Sequence, residues 1–126
     1  MLRKSVFAAM ASAILFVVPA HAEGDAAAGA KVFNQCKACH EVEKGVNKVG
    51  PTLKGVVGRK AAAVPDYKYS EAMIAKGAEG VVWDDANLTA YLTSPKTFVP
   101  KGKMAFAGLK KPEDLANVIA FLKTHP

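Results

Sequence analysis

The stretch QCKACHEVEKG, residues 35–45, brings two thiols and an imidazole together at Cys36, Cys39 and His40, and it holds both cysteines of the chain. Four chemistries use such a group: a structural disulfide, a zinc site, a redox dithiol and a covalently attached haem. A structural zinc ion takes about four protein ligands. Here there are three, too crowded in sequence for all of them to reach one ion easily, and nothing places His125 nearby as a fourth. A dithiol oxidoreductase sets C-x-x-C at a helix start following a strand, whereas this pair is expected at a helix end with no βαβ pattern around it. A plain disulfide leaves His40 without a role. C-x-x-C-H is the attachment pattern of c-type haem. The two thiols add to the porphyrin vinyl groups as thioethers, the two intervening residues match the separation of those groups, and the adjacent histidine is set beneath the iron.

The elements that must position this motif are helical, and no run shows a convincing strand alternation. A first helix is expected to open at Asp25, a good N-cap, and to run through AAAGAKVFNQC to about Ala38, with Val32, Phe33 and Cys36 on one face. Gly29 lies on that face, where it is either tolerated or required by close approach of another helix. A second helix follows Trp83, capped by Asp84 or Asp85, with Leu88, Tyr91 and Leu92 as its apolar stripe and Pro95 as its stop. A third starts at Pro112 and buries Leu115, Val118, Ile119 and Leu122. A short helix from Ser70 to Lys76, ended by Gly77, completes the set. Between them lie irregular stretches, about 41–69 and 94–111, rich in Gly, Pro and Lys. Segments this long without structure need a reason, and wrapping a buried prosthetic group supplies one.

The chain has 126 residues, fitting one domain, and carries a net charge of +6. Its start does not read as part of that domain. Arg3 and Lys4 precede an uncharged run, SVFAAMASAILFVV, then PAHAEGD with small residues at Ala20 and Ala22. That is the layout of a secretory signal peptide cleaved between Ala22 and Glu23. The rival, an uncleaved membrane anchor, wants roughly 20 apolar residues, more than this run has. Residues 1–22 are therefore expected to be removed, leaving 23–126 as a single-haem domain of net charge about +4 by the same count once Arg3 and Lys4 are lost. A domain of this size buries a modest core, which a large apolar cofactor would enlarge. Export also suits the thiols, since free cysteines rarely persist in an oxidising compartment.

An iron held by His40 on one face has a further position. Left open, it would bind gases or peroxide; filled, it suits electron transfer. Met73, Met104 and His125 are the candidates. Met73 falls in the short helix and reads as packing. His125, beside Pro126, is expected to be frayed and exposed. Met104 lies in a polar loop, VPKGKMAFAGLKK, where an apolar residue needs a partner.

Taken together, the segments GDAAAGAKVF, QCKACHEVEKG, VGPTLKGVVGRK, YKYSEAM, WDDANLTAYLTSPKTFVP, KGKMAFAG and VIAFLK resemble class I cytochrome c over the whole mature chain. The leader and small size look most like the cytochrome c2-type proteins of proteobacteria. The resemblance implies an all-α fold, with three main helices plus short helices and long loops wrapped around one haem c. Cys36 and Cys39 would hold that haem through two thioethers. His40 and Met104 would ligate its iron, and the Pro51 carbonyl would accept a bond from His40. Tyr91 would reach the Met104 sulfur, and Arg59, Tyr69 and Trp83 would surround the haem propionates. Gly29 and Phe33 would meet the last helix near Val118 and Phe121. The chain departs from the family at Gly102, where a hydroxyl residue is frequent, and at Met73, where asparagine is. GAEGVVW is slightly longer than its mitochondrial counterpart.

The implied function is one-electron shuttling in the periplasm by a soluble monomer, from the cytochrome bc1 complex to a terminal oxidase or photosynthetic reaction centre. The alternative is a small haem peroxidase or ligand sensor with a labile Met104. Lys37 lies inside the motif, and Lys96, Lys101, Lys103, Lys110 and Lys111 surround Met104. They would steer acidic docking surfaces of partner complexes; nucleic acid is a poor partner for an exported protein.

Overall fold

The computed structural model describes residues 11–13 and 24–126. The expected cleavage point and nearly all of the leader lie outside them. Five helices order the described residues: α1 (Ala26–Phe33), α2 (Glu71–Ala78), α3 (Asp85–Thr93), α4 (Pro95–Phe98) and α5 (Pro112–Lys123). None of them is long and apolar enough to cross a membrane. Extended pairing among the described residues is limited to one isolated antiparallel bridge, Lys60 to Val82, so the architecture is all-α.

Each main helix begins where its capping chemistry dictates. The Asp25 carboxylate accepts the Ala27 and Ala28 N–H groups at 2.8 and 3.4 Å. Asp84 accepts from Asn87 at 2.8 Å, and Ser70 Oγ from Met73 at 3.1 Å. These bonds satisfy amides that the first turn leaves without partners. Pro112 opens α5, with Glu113 and Asp114 in its first turn.

Three boundaries differ from expectation. Helix α1 stops at Phe33 rather than near Ala38, because Asn34, Gln35 and Cys36 donate to carbonyls three residues back at 3.2, 3.2 and 2.8 Å. The chain thus tightens into 3₁₀-type turns before the cysteines. Helix α3 ends at Thr93, and Pro95, expected only as a stop, opens α4. Proline excludes helical geometry at the residue before it, here Ser94, yet is favoured as a first helical residue. Helix α2 runs through Gly77 to Ala78. Gly77 is there for space, since a Cβ would come within 2.5 Å of the Ala61 carbonyl, and the exit turn is at Gly80, φ +85°.

The frame is the crossing of α1 and α5. A Cβ on Gly29 would overlap the Asn117 carbonyl, so of the two readings of this glycine, close approach holds. Phe33 and Phe121 stack at 5.0 Å between centroids, and the Asp25 N–H reaches Asn117 Oδ1 at 2.8 Å. Leu115, Val118, Ile119 and Leu122 are buried behind them. His125 is not frayed. It is half-buried, its ring packs on Phe121 at 4.8 Å, and its carbonyl accepts the Gly55 N–H at 2.8 Å. That bond ties the end of the chain to the long 41–69 segment.

Candidate haem site

The turns after α1 carry the motif. Cys39 and His40 donate their backbone N–H groups to the Cys36 carbonyl at 3.1 and 2.9 Å, which gathers the three side chains on one bend. Both thiols are unpaired and half-buried. Burial first, then the neighbouring Cys39, pushes the Cys36 thiol up. His40 Nδ1–H donates to the Pro51 carbonyl at 2.8 Å. A carbonyl only accepts, so this bond fixes the tautomer with Nε2 unprotonated. Burial lowers the imidazole's pKa despite the Pro51 bond, which keeps that lone pair available. Gly50 packs on the ring so closely that any Cβ would overlap it, and its N–H donates to the Cys39 carbonyl at 2.8 Å.

The loop from 41 to 52 holds Gly50 and Pro51 in place. The Glu41 carboxylate accepts the N–H groups of Glu43 and Lys44, and that of Val46 at 3.0 Å. These backbone donors, with Lys44 foremost, lower its pKa. Asn47 Oδ1 accepts from Thr52 at 2.9 Å. Sequence reasoning passed over both residues, although a carboxylate just after the motif and an asparagine before a Gly-Pro turn are recognisable loop formers.

Met104 lies on the other loop. Tyr91, on α3, donates its hydroxyl to the Met104 sulfur at 3.7 Å, as the resemblance implied. Burial foremost, then Tyr67, pushes the Tyr91 phenol up to about 12. The loop reaches Met104 through Lys101, which takes the left-handed conformation at φ +65°. The Gly102 N–H then donates to the Val99 carbonyl at 3.0 Å. At Gly102 a side chain would press on Val99, 3.1 Å from its carbonyl oxygen. Met73 is partly buried against the core, consistent with packing.

Arg59, Tyr69 and Trp83 line a third side. Trp83 donates its backbone N–H to the Arg59 carbonyl and accepts from Gly58, both at 2.8 Å, so Arg59 and Trp83 are fixed side by side. Trp83 is buried and stacks on Tyr91 and Phe98 at 5.0 and 5.9 Å. Arg59 Nη1 donates to the Thr52 and Lys54 carbonyls at 2.9 and 3.2 Å, while its buried Nε has no partner. Tyr69 accepts the Val64 N–H at 3.0 Å, which leaves its own proton to donate. Tyr67, unremarked in the sequence although two residues from Tyr69, donates to the Val49 carbonyl at 2.8 Å and meets the Tyr69 ring edge-on at 4.8 Å.

Of the six lysines expected to face partners, all are exposed. Two also brace loops: Lys103 Nζ donates to the Lys68 carbonyl at 2.6 Å, and Lys110 Nζ to that of Thr93 at 2.9 Å.

These donors fit a haem. Two thiols can form thioethers, an oriented imidazole and a thioether sulfur offer iron ligands, and the unpartnered Arg59 Nε and the Tyr69 hydroxyl suit a carboxylate. Zinc has no comparable support, because among the described residues no three His, Cys, Asp or Glu side chains are placed so that they could hold a metal ion between them.

Fold and site together define a small all-α protein that carries one covalently attached haem. A model of the family described as cytochrome c matches residues 26–126, and the chain belongs to that family. It is 54% identical over 99 residues to a cytochrome c2 of Afifella marina, covering 78% of this chain and 80% of that one. Among solved structures it is similar to cytochrome cH of Methylobacterium extorquens, with 50% identity and TM-score 0.73 over 80% of this chain and 99% of that one. It is also similar to cytochrome c2 of Rhodospirillum centenum, with 36% identity and TM-score 0.76 over 81% and 98%. The cofactor is haem c, for which Cys36 and Cys39 are the two cysteines present. The protein is an electron-transfer protein, not an enzyme.

Proposed function

We propose that this protein is a soluble, periplasmic one-electron carrier whose haem iron is held by His40 and Met104. The observation that carries this reading is the Tyr91 hydroxyl on the Met104 sulfur at 3.7 Å. A core-filling methionine needs no hydroxyl partner, whereas a ligand sulfur must be aimed. When bound, the haem supplies reversible Fe(III)/Fe(II) chemistry, and methionine with histidine ligation raises its potential.

The residues do the rest. Pro51 and Gly50 hold the His40 ring in one orientation and tautomer, and Tyr91 orients Met104. Arg59, Tyr69 and Trp83 receive the propionates, with the Arg59 guanidinium offsetting their charge. A chain that keeps both ligands through oxidation and reduction rearranges little. The leader is removed between Ala22 and Glu23, which leaves the carrier diffusible. Lys37, Lys96, Lys101 and Lys111, with Lys103 and Lys110 beside them, steer it to acidic surfaces on a cytochrome bc1 complex and on a terminal oxidase or photosynthetic reaction centre.

The test is the spectrum of the purified ferric protein. The wild type is expected to show the weak far-red band of methionine–iron bonding and to resist cyanide, and Met104→Ala to lose the band and take up cyanide or carbon monoxide quickly. A wild type without the band that binds these ligands readily would make the protein a small peroxidase or ligand sensor instead.

A further inference from the structure

The Pro51 carbonyl is one of three groups in its segment that hold the C-x-x-C-H motif. His40 Nδ1–H donates to it at 2.8 Å. The Gly50 N–H donates to the Cys39 carbonyl at 2.8 Å, and the Lys48 ammonium donates to the Lys37 carbonyl at 2.7 Å. Residues 48, 50 and 51 thus each take a different group of the motif. A fourth bond, from the Lys48 N–H to the Gly50 carbonyl at 2.9 Å, folds the three into one turn.

Lys48 answers a need that the motif itself leaves. The Cys36 carbonyl is taken by the amides of Cys39 and His40. The Lys37 carbonyl comes next, where the turn runs out, and among the described residues no backbone N–H reaches it. Open carbonyls at the end of a helical turn accept lysine side chains and favour positive charge. Lys48 lies eleven residues further on, so its bond also closes the loop between the motif and Pro51. Its charge is felt at the imidazole as well: burial lowers the His40 pKa most, and Arg59 and Lys48 add to it. The ordinary reading of an exposed lysine is a solvated charge. Against it stand the partnered ammonium and the two neighbouring bonds made by the same turn.

We infer that Lys48 is a positioning residue of the His40 side of the haem site: its ammonium pins the Cys36–Cys39 turn to the segment that orients His40, so that thiols and imidazole keep one fixed relation. Outer partners of a metal ligand set its orientation in this way. The inference rests on the assignment of His40 to the iron and is independent of Met104 and of any redox partner.

The experiment compares the purified haem-loaded wild type with Lys48→Met and Lys48→Arg, with no partner present. Amide hydrogen exchange is followed by NMR in the ferrous protein. The haem-methyl proton shifts are read in the ferric protein, where their spread reports the orientation of the axial imidazole plane. Lys48→Met is expected to speed exchange at Cys39 and His40 about fivefold, the factor equivalent to one net hydrogen bond, with a smaller change in α5, and to move the methyl shifts. Lys48→Arg keeps a donor and a charge and should return both readouts close to wild type. Exchange and methyl shifts in Lys48→Met equal to those of the wild type overturn the inference and leave Lys48 a solvated charge. Exchange raised equally at every amide marks a general loss of stability and also overturns it. A wild-type iron not bound by His40 overturns the inference together with the reading of the site. A wild type that lacks the far-red band yet shows both effects removes Met104 from the iron and still supports the inference.

Discussion

A single hydroxyl tests the carrier reading most sharply. Tyr91 donates to the Met104 sulfur, and a donated hydrogen bond draws electron density away from its acceptor. Tyr91→Phe removes that pull and is expected to lower the midpoint potential by roughly tens of millivolts, the one-electron equivalent of a net hydrogen bond of about 1 kcal/mol. Potentiometric titration measures it. The same phenol carries a pH dependence. Its folded-state pKa is raised to about 12, above the usual value near 10. Its contribution to stability is therefore complete below about pH 10 and is lost as pH rises towards 12. Ultraviolet difference titration should show one fewer late-ionising tyrosine in Tyr91→Phe than in the wild type, with Tyr67, also raised by burial, remaining in both. Cys36, Cys39, His40 and Met104 can be singled out in the sequence because each is a rare residue type in a demanding context. Glu41 and Tyr67 cannot. They act through backbone amides and carbonyls brought near by the fold, and no side-chain pattern marks that.

At the scale of elements, Gly29 is where α1 and α5 come together with no room for a Cβ. Gly29→Val would drive two methyl groups into the Asn117 carbonyl and the Phe121 side chain. It is expected to cost about 3 kcal/mol or to prevent folding, read as a lowered denaturant midpoint at constant slope. Asp25→Ala, losing only a cap, should cost about 1 kcal/mol. The starts of α1, α3 and α5 were readable because Asp25, Asp84 and Pro112 act locally. The early end of α1 and the identity of α4 were not. Both depend on which carbonyls the chain finds after the helix, and Pro95 signals a stop as readily as a start. Gly77 likewise reads as a terminator, and only its neighbour Ala61 shows that it is a spacer.

For the whole molecule, the haem is an ingredient of the fold as well as the site of its chemistry. The segment 41–69 contains no helix among its residues. It is held by scattered bonds such as Gly55 to His125 and Arg59 to Thr52, with an orphaned Arg59 Nε at its centre. Cys36→Ser/Cys39→Ser, made without covalent haem, is expected to keep some far-ultraviolet helix signal but to lose near-ultraviolet signal and cooperative melting. A sharp two-state transition in that variant would show that the polypeptide alone is sufficient.

Lys101 exposes a tension between durability and speed. It holds a left-handed backbone angle that suits asparagine and strains lysine. Lys101→Asn should therefore raise stability by about 0.5–1 kcal/mol, a gain seen in the melting temperature, while removing a cation near the Met104 loop. The same variant should meet its partners more slowly at low salt and match the wild type at high salt. In this loop a tougher protein is a slower courier, a trade-off set by one dihedral angle.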